Sequence, residues 1–586
     1  MNDILYQLRA RFTDCARRYW ILRKLARGCL GTIRRRLIVP PSEHRSYEHF
    51  RLKRLQERKS VYKIRQEKGL LSLVTTVWNT RVSYLEMLVN SVRDQVGGTH
   101  FEWVILDNGS DVGETVQYLR NLEAYSFIKL HRVEENIGII GGMRFVVERA
   151  IGQYIIPVDS DDYLYPDAVT ILNWHIKANK YPALLYSDED KLLDGQTFTH
   201  AYFKPKWDPV LFINSCYIAH LCAINRDKAL ELGAYTDKTA EGSHDWDTFV
   251  RFINAGYTPV HIPELIYSWR MHPESTAANI TSKGFIHTSQ VAVLKRFLAA
   301  QPRADLYNIE ASPLFDGTPD WWIRRLHIRP RPMVTLLMKE SRSEMLGDSH
   351  INVHDYGMLR TVIIPLPFAL SEVRAISEEE AERGGLVHLL WDKVRPEGVE
   401  WPWEVLTQME LFPDTVMVGG RILDRRDRIL AAGSYLGYGT GCDCPDRFKH
   451  KNDPGYFAQM WKQRTVSAVS SQHAVFDAAF LVEFLDEHRQ SPVSVPYLGE
   501  WAGAYARRTN RRVVYTPFLS GVAEEDWASK VSDEEKSAFL RRNWDIIPET
   551  YYLSPHLSLE SKLPYSPSSK RERVAHLEML RSKLWH

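Results

Sequence analysis

A short apolar run that ends in a cluster of carboxylates constrains this chain most strongly. Residues 154–158 read Tyr-Ile-Ile-Pro-Val, and Asp159, Ser160, Asp161 and Asp162 follow at once. An apolar run of this length before a polar cluster predicts a buried strand that ends at an exposed edge. Three acidic side chains this close repel one another unless a cation lies between them, and the hard divalent ions Mg²⁺ and Mn²⁺ suit oxygen ligands. A solvated acidic turn is the alternative that this stretch alone leaves open.

Three earlier apolar segments also end in polar residues. They span residues 71–77, 103–106 and 128–133, and the polar residues that follow them are Trp78-Asn79, Asp107-Asn108-Gly109-Ser110 and Glu135-Asn136-Ile137-Gly138. Helical patterns separate these segments, and strands that alternate with helices predict a parallel, doubly wound α/β sheet. Ligands bind such sheets at the carboxyl ends of the strands, which is where these polar residues fall.

Further motifs keep a recognisable order downstream: Tyr186-Ser187-Asp188-Glu189-Asp190-Lys191, Phe203-Lys204-Pro205, Glu241-Gly242-Ser243-His244-Asp245-Trp246-Asp247 and Tyr267-Ser268-Trp269-Arg270-Met271-His272. With the strand-end motifs, they resemble the inverting glycosyltransferases of family 2, which have the GT-A fold. The resemblance covers roughly residues 70–300 and extends to a subgroup that builds bacterial surface polysaccharides. It implies an enzyme that moves a sugar from a nucleotide-sugar donor to a glycan or lipid-linked glycan acceptor, with Mn²⁺ or Mg²⁺ as cofactor.

On the donor side, the resemblance implies a role for five residues. Trp78 and Asp107 would flank and hydrogen-bond the nucleotide base, and Asp159 would contact the ribose. Asp161 would ligate the metal that bridges the two phosphates, and His272 would complete the metal shell. From the sequence alone, Trp78 could instead be a core residue and His272 a surface histidine.

On the acceptor side, the resemblance implies that Asp245 is the general base that takes the proton from the acceptor hydroxyl. Asp188, Glu189 and Trp246 are further candidates for acceptor contacts. A carboxylate at a helix N-terminus is also favoured by the helix dipole, so Asp245 could have that role alone or both roles. The acids around residues 187–190 could equally form a solvated turn.

The first 70 residues carry most of the positive charge. They contain 19 Lys or Arg and 6 Asp or Glu, a net charge of +13, whereas the whole chain is +2 and the remainder is therefore −11. Apolar residues recur among the basic ones at three- and four-residue steps, at Leu5, Leu8, Phe12, Cys15, Tyr19 and Leu22. This pattern predicts a basic amphipathic helix that contacts the membrane surface, packs on the protein or binds a partner. The basic residues lack a base-reading module, so a nucleic-acid partner is not expected.

The second half of the chain repeats parts of the first in weakened form. Residues 386–393, 416–423 and 513–517 parallel the acidic strand, residues 184–193 and residues 259–264. Asp392-Lys393 and Gly419-Gly420 stand where the first half has acids, and Glu500 is the one acid where the base motif belongs. We therefore expect a degenerate GT-A-like domain without transferase activity, which serves as a structural element or a binding surface. A second active transferase with altered motifs is the alternative.

These observations predict an α/β protein with five parts. They are a basic helical segment (1–69), a catalytic GT-A domain (70–301), a linker (302–332), a degenerate GT-A-like domain (333–565) and a C-terminal helix (566–586). Six cysteines in 586 residues do not form a disulfide framework, and the sequence lacks a run of 18 apolar residues and the pattern of a signal peptide. We expect a cytoplasmic glycosyltransferase that extends an O-antigen or capsule, with or without peripheral contact to the inner face of the membrane. A non-catalytic glycan-binding or assembly scaffold is the alternative function.

Overall fold

The computed structural model describes residues 41–62, 71–96, 100–193, 195–272, 284–315, 320–339, 356–365 and 370–585. The chain divides into two units, Met1–Val61 and Tyr62–His586. The described part of the first unit is helix α1 (Pro41–Val61). The predicted amphipathic helix around residues 5–22 lies outside the described residues. Within the part of the chain that the structure describes, no helix is both long and apolar enough to cross a membrane.

The first module, residues 71–301, is built on a nine-stranded sheet in the order β3-β2-β1-β4-β8-β6-β9-β5, with β7 beside β6. The strands are β1 (Leu71–Val77), β2 (Phe101–Asn108), β3 (Ile128–Val133), β4 (Tyr154–Pro157), β5 (Tyr163–Leu164), β6 (Leu184–Leu193), β7 (Thr197–Tyr202), β8 (Cys222–Asn225) and β9 (Val260–Met271). Strands β1 to β4 pair in parallel, as predicted, but β8 runs antiparallel to both β4 and β6. The sheet is therefore mixed, because β8 is inserted at its centre.

Helices cover both faces of this sheet. They are α2 (Val82–Arg93), α3 (Gly113–Asn121), α4 (Gly138–Arg149), α5 (Ala168–Ala178), α6 (Pro209–Phe212), α7 (Arg226–Glu231), α8 (His244–Asn254) and α9 (Gly284–Ala299). In α2, the apolar residues at helical spacing (Leu85, Leu88, Val89 and Val92) are buried, which confirms the face predicted from the sequence. Two apolar clusters result, one on each face of the sheet.

A hairpin of β10 (Tyr307–Ala311) and β11 (Trp321–Arg325) links the first module to the second, residues 333–565. The strands of the second module are β12 (Met333–Lys339), β13 (Leu359–Pro365), β14 (Leu386–Trp391), β15 (Val394–Glu397), β16 (Thr415–Gly419), β17 (Ile422–Leu423), β18 (Ile429–Ala431), β19 (Tyr435–Leu436), β20 (Cys442–Asp443), β21 (Arg464–Val466), β22 (His473–Asp477), β23 (Arg512–Tyr515) and β24 (Ser520–Ala523). Its helices are α10 (Leu370–Glu382), α11 (Trp401–Leu411), α12 (Ala478–Glu487), α13 (Leu498–Arg508) and α14 (Asp533–Asn543).

Six strands in the main sheet of the second module repeat the order and directions of six strands in the first. The order of the second module's sheet is β13-β12-β14-β22-β16-β23-β21. β12 pairs in parallel with β13 and β14, β22 runs antiparallel to β14 and β16, and β16 pairs in parallel with β23. These pairings reproduce β1 with β2 and β4, β8 with β4 and β6, and β6 with β9. The predicted fold class, a GT-A domain followed by a degenerate copy, is confirmed.

The two modules share a continuous apolar core and a polar contact around Asp208. The buried Asp208 carboxylate accepts hydrogen bonds from the backbone N–H of Thr465 (2.8 Å) and from its Oγ1 (2.7 Å). Nearby, the rings of Tyr202 and Phe457 stack with centroids 3.9 Å apart. After the second module, helix α15 (Lys570–Ser582) begins with a capping box formed by Ser569 and Glu572.

A buried histidine pair in the second module makes the stability of the fold sensitive to acid. His388 Nε2 lies 2.9 Å from His473 Nδ1, and burial lowers the pKa of His473 to about 3 and that of His388 well below its usual value. In the unfolded chain both titrate near about 6.5. The unfolded state therefore binds protons first, so stability is complete above about pH 6.5 and declines as the pH falls toward about 3.

We expect the thermal midpoint to decrease when the pH is lowered from 7.5 to 5. Each histidine should contribute about 2 kcal/mol to the lost stability. His473→Gln should reduce this pH dependence, whereas His100→Gln, at an exposed position, should leave it unchanged. Calorimetry of the three proteins at both pH values measures the effect. Equal acid sensitivity in the wild type and His473→Gln would contradict this account.

Candidate active site

The predicted polar residues meet at the edge where β1, β2 and β4 end. The loops after these strands are joined directly: the backbone N–H of Asn79 donates to Ser110 Oγ (3.0 Å), and the hydroxyls of Thr80 and Ser160 lie 2.7 Å apart. The acidic loop, residues Asp159–Asp162, thus lies beside the turns that follow the first two strands. The parallel pairing of the strands brings these segments together from positions 80 residues apart.

Asp162 fastens the acidic loop to β9. Its fully buried carboxylate accepts hydrogen bonds from the backbone N–H of Arg270 (2.7 Å) and from the hydroxyl of Tyr267 (2.5 Å). Burial raises the pKa of Asp162 well above its usual value, and the neighbouring carboxylates of Asp161 and Asp159 raise it further. The loop is therefore held by a buried acid while two more acids lie close by.

Asp161 and His272 form the closest pair of candidate metal ligands. The distance between Asp161 Oδ2 and His272 Nε2 is 2.7 Å, and both side chains are partly exposed. Arg270 Nε donates to the backbone carbonyl of Asp161 (2.5 Å), which orients this residue, and the ring of Tyr84 lies 5.3 Å from that of His272. Among the described residues, no three His, Cys, Asp or Glu side chains are grouped as a ready-made metal site. The chain thus offers two adjacent ligands, one oxygen and one nitrogen.

Asp159 interacts electrostatically with both Asp161 and the candidate base, Asp245. Its side chain is 54% exposed, and its Oδ2 is 3.9 Å from Nε2 of His220. Reduced hydration raises the pKa of Asp159. The neighbouring His220 lowers this pKa, whereas the carboxylates of Asp161 and Asp245 raise it further. Three carboxylates from two distant parts of the sequence therefore interact electrostatically in one place.

Asp245 lies in the first turn of α8 with 22% of its side chain exposed. Its Oδ1 is 3.5 Å from Nε2 of His244, and the dipole of the helix favours a carboxylate at this end. The two interpretations left open by the sequence are therefore compatible: Asp245 occupies a helix N-terminus and remains accessible. The next residue, Trp246, points the other way into the core and packs against Phe212.

Trp78 and Asp107 differ in their accessibility. Trp78 is 59% exposed at the end of β1, so it is not the core residue that the sequence left as an alternative. Asp107 is buried, forms an ion pair with Arg132 and accepts a hydrogen bond from the backbone N–H of Ser110 (3.0 Å). In this conformation Asp107 orders the turn after β2, and its role in base recognition stays a prediction.

Asp188 and Glu189 are buried in a network rather than forming a solvated turn. Asp188 accepts from the backbone N–H of Lys204 (2.8 Å) and lies 2.7 Å from His261 Nε2. Glu189 accepts from Lys204 Nζ (3.0 Å) and from the backbone N–H of His220 (2.7 Å). Asp188, Glu189 and Trp246 are all buried, and their role in acceptor contacts stays a prediction.

Two residues of the site had no role predicted from the sequence. His220 is held beside Asp159 by the Glu189 network, and no motif surrounds it. Glu241 accepts hydrogen bonds from the backbone N–H groups of Ile139 (2.5 Å) and Ile140 (3.3 Å) at the start of α4. Glu241 belongs to a recognised motif, but its partners lie about 100 residues away, so sequence spacing could not reveal them.

The corresponding edge of the second module has a different chemistry. Asp392 and Lys393 follow β14, the counterpart of β4, and Lys393 Nζ pairs with Glu525 (2.6 Å). A Cβ atom at Gly420 would lie 1.5 Å from the carbonyl oxygen of Leu519. Side chains like the acids of β6 therefore have no room at this position, which agrees with the predicted degeneracy of the module.

Comparison with known proteins agrees with this architecture. Residues 72–233 match the family model for glycosyl transferase family 2. This segment of the chain is therefore a glycosyl transferase family 2 domain. The matched segment of the family 2 module contains β1 to β8, with Trp78 and the acidic loop, and ends before Asp245.

Several curated relatives resemble the chain. The uncharacterized protein y4gI of Sinorhizobium fredii is 26% identical over 451 residues, which cover 70% of this chain and 49% of y4gI. The O-antigen biosynthesis protein RfbC of Myxococcus xanthus is 25% identical over 332 residues, 55% of this chain and 25% of RfbC. The chain thus spans about half or less of the length of these relatives. The crystal structure of S. aureus TarS 1–349 in complex with UDP-GlcNAc has 18% identity and a TM-score of 0.33, over 40% of this chain and 67% of that one.

Asp162 is expected to stabilise the family 2 module. Asp162→Ala leaves two buried donors without an acceptor, at about 1–3 kcal/mol each, so we expect a loss of roughly 2–6 kcal/mol of unfolding free energy. Tyr267→Phe removes one of the two hydrogen bonds and should cost about 1 kcal/mol. Urea unfolding measures both losses, with Asp227→Ala at an exposed carboxylate as the control. An Asp162→Ala protein as stable as the wild type would refute this role.

Proposed function

We propose that this protein is an inverting, metal-dependent glycosyltransferase. It transfers a sugar from a nucleotide-sugar donor to a hydroxyl of a growing surface polysaccharide such as an O-antigen or capsule. The observation that carries this proposal is the convergence of Asp161, His272, Asp159 and Asp245 at one end of the sheet in a family 2 module.

The residues present fit a divalent metal. The acidic loop concentrates negative charge: burial raises the pKa of Asp162, and the carboxylates of Asp161 and Asp159 raise it further, a repulsion that a cation would relieve. Asp161 and His272 are 2.7 Å apart and supply a carboxylate and an imidazole, a donor set suited to Mn²⁺. Two protein ligands suit an ion that shares its remaining positions with water and the donor diphosphate. When bound, such an ion stabilises the negative charge of the leaving diphosphate.

Trp78 and Asp159 are the proposed donor contacts. The exposed indole of Trp78 offers an apolar face for the nucleotide base, and Asp159 offers acceptor oxygens for the ribose hydroxyls. Asp107 orders the turn beside Trp78 through Arg132 and Ser110, so we assign it a positioning role for the base.

Asp245 is the proposed general base. The acceptor hydroxyl oxygen forms a bond to the anomeric carbon from the face opposite the leaving group, while the bond from that carbon to the diphosphate oxygen breaks. The hydroxyl proton passes to the Asp245 carboxylate, and the nucleoside diphosphate leaves with the bonding electrons. A single displacement of this kind inverts the anomeric centre, and a positioned base accelerates it by about 10² to 10⁴-fold.

The polysaccharide acceptor is proposed from the functions for which two relatives are named. RfbC is named for O-antigen biosynthesis, and TuaG of Bacillus subtilis, 38% identical over 97 residues, as a putative teichuronic acid biosynthesis glycosyltransferase. The TuaG match covers 16% of this chain and 37% of TuaG. A lipid-linked acceptor would fit the basic residues 1–70, because cationic segments are attracted to anionic membrane surfaces. The alternative, a non-catalytic scaffold, does not explain why the first module keeps its acids while the second has replaced them.

Asp161→Asn should abolish metal-stimulated transfer. We expect nucleotide release from one member of a panel of UDP-, GDP- and dTDP-sugars, tested with a glycan acceptor extract, to require Mn²⁺ or Mg²⁺. The release should disappear with chelator and in Asp161→Asn, and Mn²⁺ binding measured by electron paramagnetic resonance should weaken in parallel. Asp227→Asn, at a side chain 85% exposed, is the matched control. Full turnover with chelator would exclude the metal-dependent mechanism.

Asp245→Asn should lower kcat by about 10² to 10⁴-fold while donor binding, measured by calorimetry, stays within about threefold of the wild type. This separation of kcat from binding distinguishes a base from a residue that only caps α8. A variant that binds donor normally and turns over at the wild-type rate would remove Asp245 from the mechanism.

A further inference from the structure

The second module contains a cavity of about 460 Å³. The residues that line it are far along the sequence from the acids of the first module. The cavity is lined by residues near the start of α13, by the segment of β18 to β20 and by residues 526–536. The rim includes the exposed residues Thr440, Phe448 and Ser529, so the cavity opens to solvent. Its volume lies within the range of about 300–1,000 Å³ that is typical of small-molecule sites.

Two polar groups in this cavity are buried without hydrogen-bond partners among the described residues. They are Oε2 of Glu500 and Nε2 of Gln472, whose side chain is 2% exposed. A buried polar atom left without a partner costs about 1–3 kcal/mol, so such atoms need an explanation. Both residues line the same open cavity, and together they offer an acceptor and a donor to the hydroxyls of a bound ligand.

The remaining walls favour a neutral ligand with an apolar face. Trp527 and Tyr497 are buried in the wall, and Phe448 stands 55% exposed at the rim. Four charged residues besides Glu500 line the cavity: Arg447 and Asp526 are paired with each other, Asp443 accepts hydrogen bonds from Thr440, and Lys536 is the remaining cation. A cavity with this composition lacks the cluster of cations that a diphosphate needs.

Glu500 itself is suited to a neutral partner. Burial raises its pKa to about 8, and the carboxylates of Asp443 and Glu535 raise it in the same direction. At neutral pH the carboxyl group is therefore mostly protonated and offers both a donor and an acceptor.

We propose that this cavity binds a neutral sugar residue of a glycan, which hydrogen-bonds to Glu500 and Gln472 and packs its C–H face against the aromatic wall. The site goes beyond the transfer proposed for the first module and does not depend on it. Glu500 lies in the first turn of α13, the helix before β23, as Asp245 lies in the first turn of α8, the helix before β9. The second module has thus kept a carboxyl group at the position of the proposed base while losing the acids at the neighbouring strand ends.

Saturation-transfer difference NMR on the full chain tests this site. The probes are the methyl glycosides of glucose, galactose, mannose, rhamnose and N-acetylglucosamine, with methyl glucuronide as the charged comparison. EDTA is present and nucleotide is omitted, so that donor binding does not contribute. We expect at least one neutral glycoside to bind saturably in the wild type and in Asp161→Asn.

Matched variants at Glu500 separate binding from stability. Glu500→Gln keeps a neutral donor and acceptor and should bind within about threefold, whereas Glu500→Leu should weaken binding at least about tenfold. Because Leu removes a buried carboxyl oxygen that has no partner among the described residues, the thermal midpoint of Glu500→Leu should equal or exceed that of the wild type. Phe448→Ala, at the exposed rim, should also weaken binding.

Four results would overturn the proposal. They are the absence of saturable binding by every neutral glycoside, binding by the glucuronide alone, wild-type binding in Glu500→Leu, and loss of binding in Asp161→Asn instead. The last result would place the sugar in the first module. Loss of transfer without loss of glycoside binding would count against the proposed enzyme only, so the two proposals fail separately.

Discussion

The buried carboxyl group of Asp162 is the contact on which the candidate site depends. It joins the loop after β4 to β9, two segments more than 100 residues apart, through the backbone of Arg270 and the hydroxyl of Tyr267. Arg270 and His272 are two positions apart at the end of an extended strand, so their side chains lie on the same side. When Asp162 forms these hydrogen bonds, Arg270 can donate to the carbonyl of Asp161, and His272 can contact the carboxylate of Asp161. The buried carboxyl group of Asp162 thereby positions Asp161 and His272, the partly exposed pair of candidate ligands.

A second layer of buried acids supports this edge from β6. Charged groups are tolerated inside a protein only when they are paired and hydrogen-bonded, so each of these acids requires fixed partners. Glu189 and Lys204 together hold the segment of His220, and Asp190 accepts hydrogen bonds from Tyr165 and Ser268. The acids that carry the candidate chemistry therefore rest on acids that have a structural role. The second module keeps this order of strands without the buried acids of β6. The residues at its strand ends can therefore vary more freely.

Much of the fold was predictable from the sequence, because apolar runs and helical spacing are local properties. The strands before Trp78, Asp107 and Asp159, the buried face of α2 and the repeat in the second half all follow from such patterns. The antiparallel insertion of β8 was not predictable, since its four residues carry no distinctive pattern. The sequence also could not distinguish buried acids from exposed ones. Asp188 and Asp161 both lie in short acidic motifs, and only contacts with distant segments determine that one is buried and the other partly exposed. Those contacts are set by the tertiary fold.

The two modules show what a fold keeps when its charged residues are replaced. The order of strands survives because it depends on apolar packing and backbone pairing, which most substitutions leave intact. A site is lost more easily, since it depends on a few polar residues with defined partners. At Gly420 the backbone of Leu519 now fills the space of a side chain, so recovery of the acids would require the strand to move. Glu500, by contrast, lines an open cavity, and its Oε2 atom has no hydrogen-bond partner among the described residues, at a cost in stability. A residue that destabilises its own module is more readily explained by a ligand than by packing.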